Sequence, residues 1–507
     1  MIQKFIRLFI VLIFLVPCML GYSQSLNKKE IELAAKGQLP KAILELRQFL
    51  RLSNIGSKPE DVNQNLVWCL EAMKKRKFET TVLTVNDVPH VFAQRVYNKK
   101  LPTVLFYLQI DGQPVFVNEW DQPNPFEASL KVKTNDQWQP VDWKEIENPD
   151  SRIFARSVSD SKGPGMAFLS ALDILDAKRI KPAFNVKIIM DFQEELGSPK
   201  LPELVSKNKD LLRAKLVLIM DGTRHISNLP TLNFGARGIA TIKLNVFGAS
   251  SELHSGQYGN YAPNPVFKLA KLLAGMKDDN GRVLIPDFYD GITLTGDERK
   301  LINAMPGSDA DLNQRLGIAK PDGVGATYEE SLQYPSLNVR GLKAASVEDE
   351  VRTIIPSVAI AELDLRLVPE TDGARQVHLV KKYIEAQGYH FVNDVPTKEE
   401  RAKFSNLISF EYRLGSKPFR TDLNSTEGKW LASAMDKTFG DGNYVKQRTT
   451  GGSQPIESFI TTLNIPAVSL RIPNPDNNIH AANENLRVGN FVEGIQMCLG
   501  ILTQPIK

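Results

Sequence analysis

The chain has 507 residues, room for two or three domains, and its 42% hydrophobic content permits ordinary packed cores. Its formal net charge of +4 is small for that length, so composition makes no case for nucleic acid or an anionic membrane surface as partner. No internal repeat or low-complexity tract stands out.

At the amino terminus, Lys4 and Arg7 precede the apolar run Leu8–Val16, and small and polar residues follow Pro17. That is the pattern of a secretory signal, and its apolar core is too short for a comfortable membrane span. It predicts an exported product, periplasmic or extracellular, with anchoring to a membrane through an uncleaved signal as the alternative. Cys69 and Cys498 lie in apolar helical patterns, so both are expected to be buried free thiols.

Residues 26–77 read as helical: Ala42, Ile43, Leu46, Phe49 and Leu50 form one apolar stripe, and Val62, Leu66, Trp68, Cys69 and Met73 another. Thr80–Val85 and Val91–Val96 read as short strands. Thr103–Ile110 is almost continuously apolar, as a strand buried on both faces should be, and stops at Asp111. A long polar connection leads to Asp160 and a helix over Met166–Ala177. On its own Asp160 reads as a turn or helix-capping residue. Val186–Met190 and Leu216–Met220 are further buried strands, the first running into Glu194 and Glu195 and the second ending at Asp221. The carboxyl ends of parallel strands are where an open α/β sheet places its active site.

From about Leu232 the texture changes. Gly238–Gly248 and Val358–Leu367 alternate, as strands with one covered face do, and Pro265–Met276 and Asp372–Gln387 are amphipathic helices. Strands with a single helical layer suggest a separate α+β domain inserted in the chain. Beyond about residue 400 the first texture returns, with helices at Glu427–Phe439 and Phe491–Leu502, a strand at Ala467–Ile472, and His480 between them.

Metal chemistry gives the scattered acids one purpose. Zinc takes imidazole nitrogen and carboxylate oxygen, and a pair of zinc ions needs a shared carboxylate. Hydrolysis needs a further, unligated carboxylate to take a proton from the attacking water. In Glu194-Glu195 one acid can bind metal while its neighbour acts as base.

These motifs resemble the zinc metallopeptidase family of carnosine dipeptidases, succinyl-diaminopimelate desuccinylase, carboxypeptidase G and aminoacylases, with the dipeptidase branch closest in pattern. The resemblance runs from about residue 40 to the carboxyl terminus. It implies an α/β catalytic domain, with a mixed, mostly parallel sheet flanked by helices, and an inserted α+β dimerisation (lid) domain. The expected division is a signal over residues 1–25, a catalytic domain over 26–231 and 396–507, and the insert over 232–395. The resemblance implies Asp160 in Asp-Ser-Lys-Gly as bridging ligand, Glu194 as general base, Glu195 as ligand, Asp221 as ligand, and His480, ahead of Asn483-Glu484, as the late ligand. It implies that Asp111 orients the residue two positions earlier. His254 in His-Ser-Gly is implied to stabilise the oxyanion from across a homodimer interface, and Thr353, Arg366 and Ser453 to meet substrate. The implied cofactor is zinc, one ion or two, with manganese or cobalt as substitutes. The implied substrate is a dipeptide or N-acyl amino acid with a free carboxylate.

The chain departs from the family in two places. Gln109 stands where the family has its first zinc histidine, with Leu108 in place of the preceding glycine, and an amide oxygen is a weaker zinc ligand than imidazole. Thr449-Thr450 replace the Arg-Glu that often precedes Gly451-Gly452-Ser453. A ligand role for Gln109 stays open, and a single-metal variant or a non-catalytic binding or scaffold protein is the alternative to the metallopeptidase.

Overall fold

The computed structural model describes residues 26–506. The signal expected over residues 1–25 lies outside them. Its central feature is an eight-stranded mixed sheet, ordered Glu79–Val85, Val88–Arg95, Asn185–Asp191, Thr103–Gln109, Val217–Ile219, Ala467–Arg471, Thr231–Asn233 and Val445–Gln447. The four strands from Asn185–Asp191 to Ala467–Arg471 run parallel to one another, so their carboxyl ends open on one edge.

Side-chain alternation explains why Thr103–Gln109 occupies the middle. Val104, Phe106 and Leu108 enter the larger core, beneath the helices Lys28–Leu50, Lys162–Ala177, Thr426–Phe439 and Val488–Leu502. Leu105 and Tyr107 point the other way, into a core closed by Leu201–Lys207 and Glu457–Leu463. A strand clothed on both faces must be apolar throughout, as this sequence is. Leu108, where the family has glycine, therefore spends its bulk on the helix side of the sheet, and Gln109 falls on the opposite face.

The insert carries its own five-stranded sheet, ordered Ser336–Lys343, Val358–Leu367, Gly238–Phe247, Leu407–Leu414 and His390–Val392. Ala240, Ile242, Leu244 and Val246 alternate into a separate core under the helices Pro265–Ala274 and Gly373–Ala386. Leu407–Leu414, expected in the second part of the catalytic domain, pairs antiparallel with Gly238–Phe247 in this sheet. That partner is far away in sequence, and local pattern does not reveal such pairings.

The long polar connection before Asp160 also holds structure that periodicity did not suggest. Ser129–Thr134, Gln137–Pro140 and Arg152–Phe154 form a small sheet with Asn485–Arg487. The pairing of Phe154 with Asn485 brings the segment after His480 against the segment before Asp160. Cys69 and Cys498 are buried and free, as expected.

Phe106 is 1% exposed and stacks on Phe168 with ring centroids 4.2 Å apart. Phe106→Ala is expected to cost about 3–5 kcal/mol of unfolding free energy, the range for deleting a buried aromatic ring. Urea denaturation measures it, and a loss below about 1 kcal/mol would show that the two-sided core does not depend on this strand.

Candidate metal centre

The open edge of the parallel strands gathers acids because each apolar run ends there. Asp111 follows Thr103–Gln109, Asp221 follows Val217–Ile219, and Glu194 and Glu195 lie in the turn after Asn185–Asp191. Asp160 arrives from a different direction, at the start of the helix Lys162–Ala177, and its peptide bond to Ser161 is cis.

Asp160, Glu195 and His480 offer ligand atoms that all lie within 4.8 Å of one another. His480 Nε2 is 3.0 Å from Asp160 Oδ2 and 3.4 Å from Glu195 Oε2. Tetrahedral ligands at zinc bond lengths of about 2.0–2.1 Å stand about 3.3 Å from one another, so this spacing and this nitrogen-and-oxygen donor set fit a zinc-like ion.

Electrostatics point the same way. Burial, followed by the charges of Asp221 and Asp160, holds Glu194 well above the usual carboxylate range. Glu195 is raised by burial and then by Asp160 and Asp111, and Asp111 by burial and Asp191. Asp221 is raised by burial and Asp160, while Arg471 pulls it down. The hydrogen bond to Asp160 raises His480 against the effect of desolvation. Carboxylates crowded in this way ionise together only when a cation joins them.

Surrounding groups fix these side chains. Glu484, fully buried, accepts hydrogen bonds from the Ser157, Ser159 and Asp160 amides at 2.8, 2.8 and 3.0 Å and pairs with Arg156 at 2.8 Å. It thereby sets the backbone of Asp160. Asp111 accepts from the Glu194 and Glu195 amides at 2.9 and 3.1 Å, so it anchors the acidic turn. Beneath the turn, Asp191 accepts from Tyr107 Oη at 3.0 Å and Ser198 Oγ at 2.5 Å, with His90 Nε2 at 3.4 Å. Glu194 itself has no hydrogen-bond partner for its carboxylate among the described residues, and it lines a cleft of about 580 Å³ with Gln113, Glu195, Ser453 and His480.

The remaining expected site residues separate into two groups. Arg366 Nη1 reaches Ser453 Oγ at 3.5 Å and its Nε lies 3.4 Å from Asp364, at the edge of this cleft. His254 and Thr353 sit together on the insert, where the Ser255 amide donates to the Thr353 carbonyl at 3.1 Å. Both are exposed and neither lines the cleft. Among the described residues, Asp160, Glu195 and His480 form a cluster of carboxylate and imidazole ligand atoms that Asp221 does not join. Gln109 donates through Nε2 to Glu195 at 3.2 Å.

Sequence reasoning did not single out Gln113, whose Nε2 donates to Glu195 at 2.7 Å. Its position two residues past Asp111 was the available signal. The His90–Asp191 contact had none, since it joins two strands that are far apart in sequence.

Comparison with known proteins agrees with this geometry. Residues 130–504 match the family described as peptidase family M20/M25/M40. Beta-Ala-His dipeptidase of Rattus norvegicus is 26% identical over 419 residues, covering 81% of this chain and 78% of that protein. Cys-Gly metallodipeptidase dug1 of Schizosaccharomyces pombe is 26% identical, covering 84% and 85%. The crystal structure of the M20 family metallo-carboxypeptidase Sso-CP2 from Sulfolobus solfataricus superposes with a TM-score of 0.73 at 28% identity, covering 92% of this chain and 99% of that one. The expectation of export is overturned by the comparison with these dipeptidases, and no helix among the described residues is long and apolar enough to cross a membrane. With the match spanning most of the chain and the acids converging at the strand ends, the protein belongs to peptidase family M20/M25/M40 and is a metallopeptidase.

Proposed function

We propose that this enzyme hydrolyses dipeptides that carry a free carboxylate, holding a zinc ion on Asp160, Glu195 and His480 and using Glu194 as general base. The observation that carries the reading is the convergence of those ligand atoms beside an uncommitted carboxylate in the same cleft. The relatives named for Beta-Ala-His and Cys-Gly support the substrate class, since each name denotes a dipeptide. When bound, such an ion polarises a carbonyl oxygen and lowers the pKa of water.

The chain's own residues supply the rest. Glu194 accepts a proton from the attacking water and returns it to the leaving amine. Asp111 and Glu484 are positioning residues, one for the acidic turn and the other for Asp160. Arg366, in long contacts with Ser453 and Asp364, presents forked donors to the substrate carboxylate. N-acyl amino acids share that carboxylate and fall within the same chemistry.

His254, with Thr353 beside it, completes the site from a second copy of the chain, where one oxyanion donor contributes roughly 3 kcal/mol. This part of the proposal requires a homodimer. The pairing of Leu407–Leu414 supports ending the insert near residue 415 instead of 395.

Glu194→Gln is expected to lower kcat on dipeptides by about 10²–10⁴ with zinc content unchanged. An unaltered kcat would remove Glu194 from the role of base. Stripping the protein with a chelator should abolish hydrolysis. Restoring zinc to about 100 times its Kd should stabilise the fold by about 2.7 kcal/mol in thermal unfolding. Absence of both effects would contradict a metal centre.

A further inference from the structure

The strand that ends beside Asp221 carries a cation. Ser469 pairs with Ile219 in the parallel ladder, and Tyr107 pairs with Ile219 on its other side. Continuing both registers by two residues sets Gln109, Asp221 and Arg471 in one row at the mouth of the sheet. Residues paired in register point to the same face, and Leu105, Tyr107, Val217, Ile219 and Ala467 all face the smaller core on that side.

Arg471 is 5% exposed, and its Nε and Nη2 have no hydrogen-bond partner among the described residues. Its charge is drawn first to Asp221 and then to Asp160. The chain makes room for it at Gly222, where a Cβ would lie 1.1 Å from Arg471 Nη1. Arginine does not lose its proton in proteins, so this charge is permanent.

The acid beside it is already engaged. Asp221 accepts from Ser161 Oγ at 3.0 Å through one oxygen and from Gln454 Nε2 at 2.9 Å through the other. Gln454 is itself fixed by Ser469 Oγ at 3.1 Å. Gln109 turns its amide N–H toward Glu195. Among the described residues no imidazole joins Asp221, both Asp221 oxygens accept from donors, and a fixed positive charge repels a second one.

We infer that the enzyme works with a single metal ion, and that Arg471 is a built-in cation serving Asp221 where a second ion would have to bind. This rests on the metal-site reading above and specifies it. Arg471 acts through its charge: it balances Asp221, whose two oxygens are held by Ser161 and Gln454, and offers no open coordination position.

The test is zinc stoichiometry of the full chain, by titration calorimetry and elemental analysis after chelation. Wild type is expected to bind about one zinc per chain, as is Gln109→His, because Arg471 still repels a second ion. The double variant Gln109→His, Arg471→Met is expected to bind about two, since it restores a histidine and removes the cation. Manganese(II) in the wild type should give the electron paramagnetic resonance spectrum of an isolated ion. A second equivalent in wild type or in Gln109→His, or the spectrum of an exchange-coupled manganese pair, would overturn the inference. A folded double variant that binds only one zinc would also overturn it. If the double variant does not fold, the wild-type and Gln109→His titrations still decide. Failure of the wild type to bind any zinc would instead overturn the metal-site reading itself.

Discussion

Mutual repulsion among Asp111, Asp160, Glu194, Glu195 and Asp221 is the constraint around which this end of the molecule is arranged. Four of them are raised above the ordinary carboxylate range, with burial the largest cause in each. A fold tolerates such a cluster only by supplying donors, a fixed cation or a bound one. The chain itself supplies the first two. Backbone amides serve Asp111, Arg471 serves Asp221, and the His480 side of the cluster has the spacing of a metal site.

The scaffold explains why these groups stay in place. Two-sided burial of Thr103–Gln109 and its parallel neighbours makes the strand ends rigid, and the acids extend from those ends. Glu484 is tied to the segment around Asp160 from the opposite side by the small sheet through Asn485–Arg487. His480, by contrast, sits on an exposed loop with a positive φ of 63°.

Much of this was legible in the sequence. An apolar run that stops at an acid marks a buried strand ending at an active-site edge, and that logic located Asp111, the Glu194-Glu195 pair and Asp221. Asp160 and His480 have no such local signal, and motif resemblance supplied them. Arg471 was missed because it closes a strand that reads as apolar, and its meaning depends on the neighbouring strand, Val217–Ile219. The small sheet around Arg152–Phe154 was missed because its strands are short and partly exposed. The place of Leu407–Leu414 in the second sheet was not legible because its partner lies far upstream. In each case the missing information was a long-range pairing, which periodicity does not encode.

The central claim is that the acid cluster is a metal centre organised on Asp160, Glu195 and His480. Anomalous X-ray diffraction at the zinc edge, from crystals of the zinc-loaded protein, tests it most directly. The expected result is an anomalous peak about 2.0–2.2 Å from a carboxylate oxygen of Asp160, one of Glu195 and a ring nitrogen of His480. No peak at that position in a fully loaded crystal, or a peak bound by other side chains alone, would contradict it.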